Sequence, residues 1–203
     1  MFPNEDLPVD YSKGMAFCLW GFSKWGDVFT QRQLLMLNSF VQSIHALEFC
    51  SFQKDYLKAV KTYMAILINR VAMNSTTFGL WKTSGEFLSS AFGGQSINMV
   101  IDYPESNPFC TATGSYLNQL SWVLRFIDSE SKNPFFGNLR NASSGERSQF
   151  MEKELSAVIT DPPYYDAVAY ADLSDFFYVW LKRTLGKDYP ENFATPQTPK
   201  YEE

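Results

Sequence analysis

Two observations predict a helix-rich α/β protein. Before about residue 130, apolar residues recur at helical spacing in three long stretches, whereas the short β-branched run Ala157–Thr160 leads into two consecutive prolines. Helical spacing indicates amphipathic helices, and a brief apolar run bounded by polar residues is typical of a strand buried in a parallel sheet. We therefore expect a mainly helical region over residues 1–130 and a partial α/β region over residues 131–203.

Three helices are predicted in the first region. Thr30-x-x-Gln33 is a capping box that begins a helix reaching about Phe49. A second helix is predicted from about Gln53 to Met73, and a third from Ser115 to about Asp128. The residues of the third helix expected to face inward are Tyr116, Leu117, Leu120, Leu124 and Ile127.

Weaker patterns lie between these elements. Residues 75–94 predict a loop with short helical turns around Trp81 and Glu86–Phe92. Met99–Tyr103 fits a short strand or the end of a buried turn, and Leu139–Ala142 is a weak strand candidate.

A fourth helix is predicted after the Pro-Pro segment. Asp172-x-x-Asp175 is expected to cap it, and Gly186 to end it. Its broad apolar stripe is expected to pack against the sheet. The stripe consists of Leu173, Phe176, Phe177, Trp180, Leu181 and Leu185.

The string Asp161-Pro162-Pro163-Tyr164 carries the clearest chemistry. Prolines end a sheet ladder because they have no N–H to donate, so the carbonyls beside them lack ladder partners. Asp161 and the Pro162 carbonyl accept hydrogen bonds, and Tyr164 offers an aromatic face on which a flat group can stack. Such residues at the carboxyl end of a strand suit a ligand that carries an amine. The alternative is a Pro-Pro turn with a loop tyrosine.

This string resembles the catalytic motif of S-adenosylmethionine-dependent amino methyltransferases. Tyr165–Arg183, Trp25–Leu34 and Met99–Phe109 are similar to one branch, the large prokaryotic adenine-specific DNA methylases with a helical insert. The resemblance spans most of the chain. It implies a partial Rossmann-like methyltransferase sheet with a large helical insert.

The resemblance also implies roles for particular residues. The target adenine would be rotated out of the DNA duplex, with Tyr164 stacking on it and Asp161 and Pro162 accepting hydrogen bonds from its amine. Catalytic residues would be those of the motif, including Pro163. The base pocket would add Tyr165, Asp166 and Tyr170 to Tyr164, and the cofactor S-adenosyl-L-methionine would lie near Asp161, Asn141 and Ala142.

One part of the family pattern is missing. Such enzymes hold the cofactor with a glycine-rich loop, but no G-x-G string occurs here, and the nearest segment, Asn133–Asn138, has one glycine. Arg32 and Gln33 lie in a dense family block, although a capped helix accounts for them as well. We therefore expect an incomplete catalytic portion, with a partner chain or a further domain completing the cofactor site.

Charge and cysteine usage set limits on function. The net charge is −5, with 17 basic and 22 acidic residues, so DNA phosphates would be contacted mainly by segments outside this chain. Cys18, Cys50 and Cys110 are widely spaced, which favours a reducing cytoplasm over disulfides or zinc, and we expect no metal. His45 is expected to flank a helix. No apolar run is long enough for a membrane span, so we expect no membrane association.

Three functional classes follow. The first is methylation of the adenine N6 amine in DNA. The second is amino methylation of RNA or of a protein glutamine, although related motifs for those substrates begin with Asn where this chain has Asp161. The third is a non-catalytic helical module that docks on a partner carrying the cofactor loop.

Overall fold

Helices dominate the computed structural model, which confirms the helix-rich prediction. The described residues are 2–9, 15–47, 54–93, 96–97, 99–140, 155–162, 164 and 168–200. Within them lie α1 (Gln31–His45), α2 (Lys54–Asn74), α3 (Tyr116–Glu130), α4 (Tyr170–Leu185) and an antiparallel hairpin of β1 (Leu80–Lys82) and β2 (Phe87–Ser89). Two short 3-10 helices, Phe17–Trp20 and Trp25–Val28, precede α1.

The helix boundaries follow the local signals in the sequence. The capping box of α1 is present: the Thr30 hydroxyl accepts from the Gln33 amide, and the Gln33 side chain accepts from the Thr30 amide. The hydroxyl of Ser115 likewise accepts from the Asn118 amide at the start of α3. Because each bond satisfies an N–H that has no partner within the helix, these residues fix where the helices begin.

The core forms where α2 packs against α1, α3 and α4, and where α1 also meets α4. Aromatic residues ahead of α1 close this core. Phe29 stacks on Phe176 of α4 with ring centroids 5.6 Å apart and meets Trp180 edge-on at 5.5 Å. Trp25 also contacts Phe176 edge-on. The apolar stripe of α4 therefore packs on helices and on this N-terminal segment, and the prediction that it packs on a sheet is wrong.

The prediction of a strand over Ala157–Thr160 is also wrong. These residues are irregular and exposed, and 96% of the Ile159 side chain is accessible. A parallel strand needs neighbours to pair its N–H and C=O groups. The strands among the described residues are β1 and β2, which pair with each other, Trp81 opposite Leu88. They lie far from residues 157–160 in the chain and do not pair with them. The coarse helix-rich description therefore stands, without a Rossmann-like sheet in the described residues.

Other local predictions need correction. The helical turns expected around Trp81 and Glu86–Phe92 are replaced by the hairpin, which turns through Gly85 and Glu86, the latter with φ of 51°. Residues 99–103 and 139–140 have no regular structure, so no strand forms over these residues. The rest of the second candidate, Asn141 and Ala142, lies outside the described residues.

Two helices differ in detail from the prediction. In α3 the buried residues include Val123, whereas Leu117 and Leu124 are about half exposed instead of facing inward. In α4 Asp172 lies within the first turn and does not cap it, because the helix already begins after Ala169. Asp175 is fully buried and accepts from the Thr198 amide at 2.9 Å. The division into residues 1–130 and 131–203 stays a prediction.

Candidate functional site

The Asp-Pro-Pro-Tyr motif lies on an accessible surface. Asp161, Pro162 and Tyr164 are all exposed, and 65% of the Tyr164 side chain is accessible. The motif is thus available to a substrate, although it is presented by irregular backbone and not by the end of a buried strand. A carboxylate and a proline carbonyl in this setting accept hydrogen bonds, while the ring provides a stacking face.

Several predicted site residues lie outside the described residues. These are Pro163, Tyr165, Asp166, Asn141 and Ala142.

Tyr170 lies elsewhere than expected. It is the first residue of α4, not part of a loop between strand and helix, and its side chain is 43% exposed. No hydrogen bond or ring contact joins it to Asp161 or Tyr164 within the described part of the chain. Among the described residues, Tyr170 therefore makes no contact with Asp161 or Tyr164, and the base pocket as a whole stays a prediction.

A second feature is a cavity of about 510 Å³ between the first half of α1 and residues 105–109. Its walls come from the two upstream segments whose sequences resemble the family, Trp25–Leu34 and Met99–Phe109, together with the exposed face of α1. The lining residues are Arg32, Gln33, Leu35, Met36, Ser39, Phe40, Ser75, Glu105, Ser106, Asn107, Pro108 and Phe109.

Gln33 is the most informative residue of this cavity. It is only 4% exposed, and its Oε1 accepts from the Thr30 amide at 2.9 Å. Its Nε2 is buried and has no hydrogen-bond partner in the described structure. An unpaired buried donor costs about 1–3 kcal/mol. A ligand atom that accepts a hydrogen bond would offset this cost if a shift of the surrounding side chains opened Nε2 to the cavity.

Glu105 supplies the opposite charge. It accepts hydrogen bonds from the Thr30 hydroxyl and from Arg32 Nε, the latter at 2.7 Å. The hydrogen bond from Thr30 lowers the pKa of Glu105 below its usual value, against the effect of burial, and Arg32 lowers it further. Glu105 thus stays ionised at neutral pH. The cavity is thus lined by an amide at Gln33, a cation at Arg32 and an anion at Glu105. Such a set fits a ligand that carries both a negative and a positive charge.

Sequence reasoning considered Arg32 and Gln33 but missed Glu105. The available signal was its place in Met99–Phe109, one of the segments that resemble the family. Nothing in its neighbours shows that it would meet Thr30, 75 residues earlier in the chain. The pairing depends on tertiary packing, which a single sequence does not reveal.

The remaining reactive side chains have structural surroundings. His45 lies at the end of α1 with Nε2 3.1 Å from the Thr184 carbonyl, as a helix-flanking residue would. Cys18 is exposed and Cys110 is half-buried, while Cys50 lies outside the described residues. Over the described ranges, no three His, Cys, Asp or Glu side chains are grouped as metal ligands.

None of the described helices has both the length and the apolarity needed to cross a bilayer. Comparisons of the chain with models of protein families, with curated proteins and with solved structures found no match.

Proposed function

We propose that this chain carries the catalytic motif of an S-adenosylmethionine-dependent methyltransferase acting on the exocyclic amine of adenine in DNA. The observation that carries the proposal is the motif Asp161-Pro162-Pro163-Tyr164, whose carboxylate and phenol ring are both accessible. The irregular segment before it would have to pair as a strand of a Rossmann-like sheet in the working enzyme. The chain is then an incomplete catalytic portion, working in the cytoplasm.

The residues of the motif would act mainly by orientation. Tyr164 stacks on an adenine that has left the duplex, an interaction worth about 1–3 kcal/mol for any base. Asp161 and the Pro162 carbonyl accept hydrogen bonds from the amine, which favours a nitrogen whose lone pair is less delocalised into the ring. Tyr165, Asp166 and Tyr170 stay predicted members of the base pocket.

The cavity at Gln33 supports a cofactor of this class. S-adenosyl-L-methionine supplies an electrophilic methyl group and ends in an amino acid with an ammonium and a carboxylate. Arg32 would donate to the carboxylate and Glu105 would accept from the ammonium, in exchange for the ion pair that joins these two residues in the structure. Gln33 Nε2 would add a donor to the carboxylate once it is opened to the cavity. Asn141 and Ala142 remain predicted cofactor neighbours.

DNA binding needs help from outside this chain. The net charge of −5 gives little attraction for phosphate, so the proposal assigns most phosphate contacts to a partner chain or a further domain.

The activity test uses the protein expressed from its native gene with isotope-labelled S-adenosylmethionine. Label is expected in adenine of DNA, and Asp161→Ala should abolish it with no change in thermal stability, since Asp161 is exposed. Asp128→Ala removes another exposed carboxylate and should leave transfer intact. Label in RNA or in protein glutamine would favour the second class, and full activity of Asp161→Ala would end the methyltransferase assignment.

The cofactor test measures binding instead of turnover. Titration calorimetry with S-adenosylmethionine should show weaker binding for Gln33→Met by about tenfold, which corresponds to one lost hydrogen bond of about 1.4 kcal/mol. Gln42→Met, an exposed change on the same helix, is the matched control. Equal binding by both variants would remove the cofactor from this cavity.

The non-catalytic docking module is the second candidate. The exposed, irregular backbone of residues 157–160 favours it, because a finished catalytic site would hold this segment in place. A protein that neither binds S-adenosylmethionine nor transfers label would support this class.

A further inference from the structure

We propose that the groove between α2 and α3 is an isologous contact between two copies of this chain. This inference is independent of the proposed methyl transfer. The groove has a volume of about 290 Å³ and is lined by Tyr63, Ile66, Arg70, Trp122, Val123 and Phe126.

The groove is apolar and uncovered in the described structure. Tyr63 and Ile66 of α2 expose 36% and 43% of their side chains, and Trp122 and Phe126 of α3 expose 51% and 55%. Large apolar side chains that share one face of a protein mark interaction sites more often than solitary ones do. An occupant with apolar side chains would cover them.

A cation at one end of the groove lacks an anion. The Nε atom of Arg70 is buried without a hydrogen-bond partner, and no ion pair to another described residue satisfies its guanidinium. Arg70 is partly exposed, so a carboxylate brought by an occupant would pair with a cation that has no ion pair in the described structure.

A carboxylate lies one helical turn beyond the groove residue Phe126, on the same face of α3. Glu130 follows Trp122 and Phe126 at four-residue spacing, which places the three on one stripe of α3. Glu130 has no side-chain partner among the described residues. This face of the two helices thus carries Arg70 and Glu130, neither of which has an ion pair in the described structure, and also Arg125, whose guanidinium lies over the Trp122 ring 5.1 Å from its centroid.

The helix directions show that these charges lie at opposite ends. A Cβ placed on Gly114, just before α3, would be 3.5 Å from Cβ of Asn74, the last residue of α2. The two helices are therefore antiparallel, and Arg70 lies beside the start of α3 while Glu130 ends it. At about 1.5 Å per residue, the two charges are roughly 15–20 Å apart along the groove.

This arrangement is self-complementary. A two-fold axis crossing the groove near Trp122 and Phe126, midway along α3, would bring Arg70 of each copy to Glu130 of the other. The same rotation would pack the aromatic side chains of the two copies together. A second copy would cover the apolar surface and pair Arg70 with Glu130 at both ends.

Sedimentation velocity on this chain tests the proposal. We expect the mass of a dimer, twice 23.3 kDa, at concentrations up to about 100 µM, where a Kd near 10 µM gives mostly dimer. Phe126→Asp should yield monomer. Leu124→Asp changes a similarly exposed residue on the other flank of α3 and should remain dimeric. A monomeric wild type, or equal loss in the Leu124 control, would overturn the proposal.

Charge reversal provides a test that does not depend on the aromatic variant folding. Arg70→Glu should weaken dimerisation about tenfold or more, because it sets like charges against each other at both ends. Adding Glu130→Arg to the same chain should restore dimerisation to within about threefold of wild type. Far-UV circular dichroism checks that each variant is folded. Failure of the double variant to regain the dimer would refute the two-fold pairing.

Discussion

The ion pair between Glu5 and Arg183 is expected to hold the N-terminal segment onto α4. Two parallel hydrogen bonds of 2.9 Å join the guanidinium to the two carboxylate oxygens. Arg183 also donates to the carbonyls of Phe2 and Val179, at 2.8 and 2.9 Å. Both side chains are nearly buried, with 10% of Arg183 and 11% of Glu5 exposed. The pair therefore differs from an ordinary surface salt bridge.

Removing one partner should be far more damaging than removing both. Arg183→Met leaves the Glu5 carboxylate buried without its cation, which costs about 3–5 kcal/mol. For a chain of this size that corresponds to a fall in Tm of about 6–20 °C, at about 2–4 °C per kcal/mol. Adding Glu5→Leu removes the stranded carboxylate and should recover at least about 1 kcal/mol.

Urea unfolding followed by tryptophan fluorescence measures these differences at an unchanged m-value. Lys132→Met is the control, because its pair with Asp128 is 72% exposed on both sides and should contribute less than about 1 kcal/mol. If Arg183→Met costs no more than this control, or if the double variant is the least stable of all, the buried-pair reasoning is wrong.

Three further outcomes follow from single residues. Glu105 has a lowered pKa in the folded state, so its contribution is present above about pH 4.3 and disappears as the pH falls through the folded value. Glu105→Gln should therefore be less stable than wild type by roughly 0.5–1 kcal/mol at pH 7, and urea midpoints should converge in acid. Gly114 has φ of +92°, and a Cβ added there would lie 3.3 Å from Cβ of Leu88. In thermal melts, Gly114→Ala should therefore cost about 1–2 kcal/mol. Gly93→Ala is the control and should be nearly neutral, because there is open space around Gly93. Asp161→Ala should leave the Tm within about 2 °C, because exposed substitutions seldom change stability by more than about 0.5 kcal/mol.

The helices could be predicted because their signals are local. Thr30 with Gln33 and Ser115 satisfy N–H groups within the first turn, so neighbouring residues decide where the helices start. The inward face of α3 was harder to identify, since the helix is apolar around much of its circumference. Leu124 and Val123 have similar side chains, and only the position of α2 decides which of them is buried.

The hairpin had a readable signal that helical periodicity obscured. The polar residues 83–86, including Gly85, separate two short apolar runs, a pattern that favours a turn between strands. For the cavity at Gln33, the sequence indicated the two segments but not their contact, because its charged residues lie about 75 residues apart in the chain. The capping role of Gln33 could be predicted from its spacing to Thr30 in the sequence. Whether its Nε2 finds a hydrogen-bond partner depends on the tertiary structure around it.

The segment before the motif, which was predicted to be a strand, shows how far composition determines structure. Val158 and Ile159 are 73% and 96% exposed although both favour strands. A strand is stabilised by its neighbours, whereas a helix satisfies most of its hydrogen bonds internally. Methyl transfer as proposed needs residues 157–160 to gain such neighbours, so their amide protons should exchange much more slowly when a completing segment or partner binds. Unchanged exchange in an active complex would mean that Asp161 works from an open loop, and the strand would then be unnecessary to the chemistry.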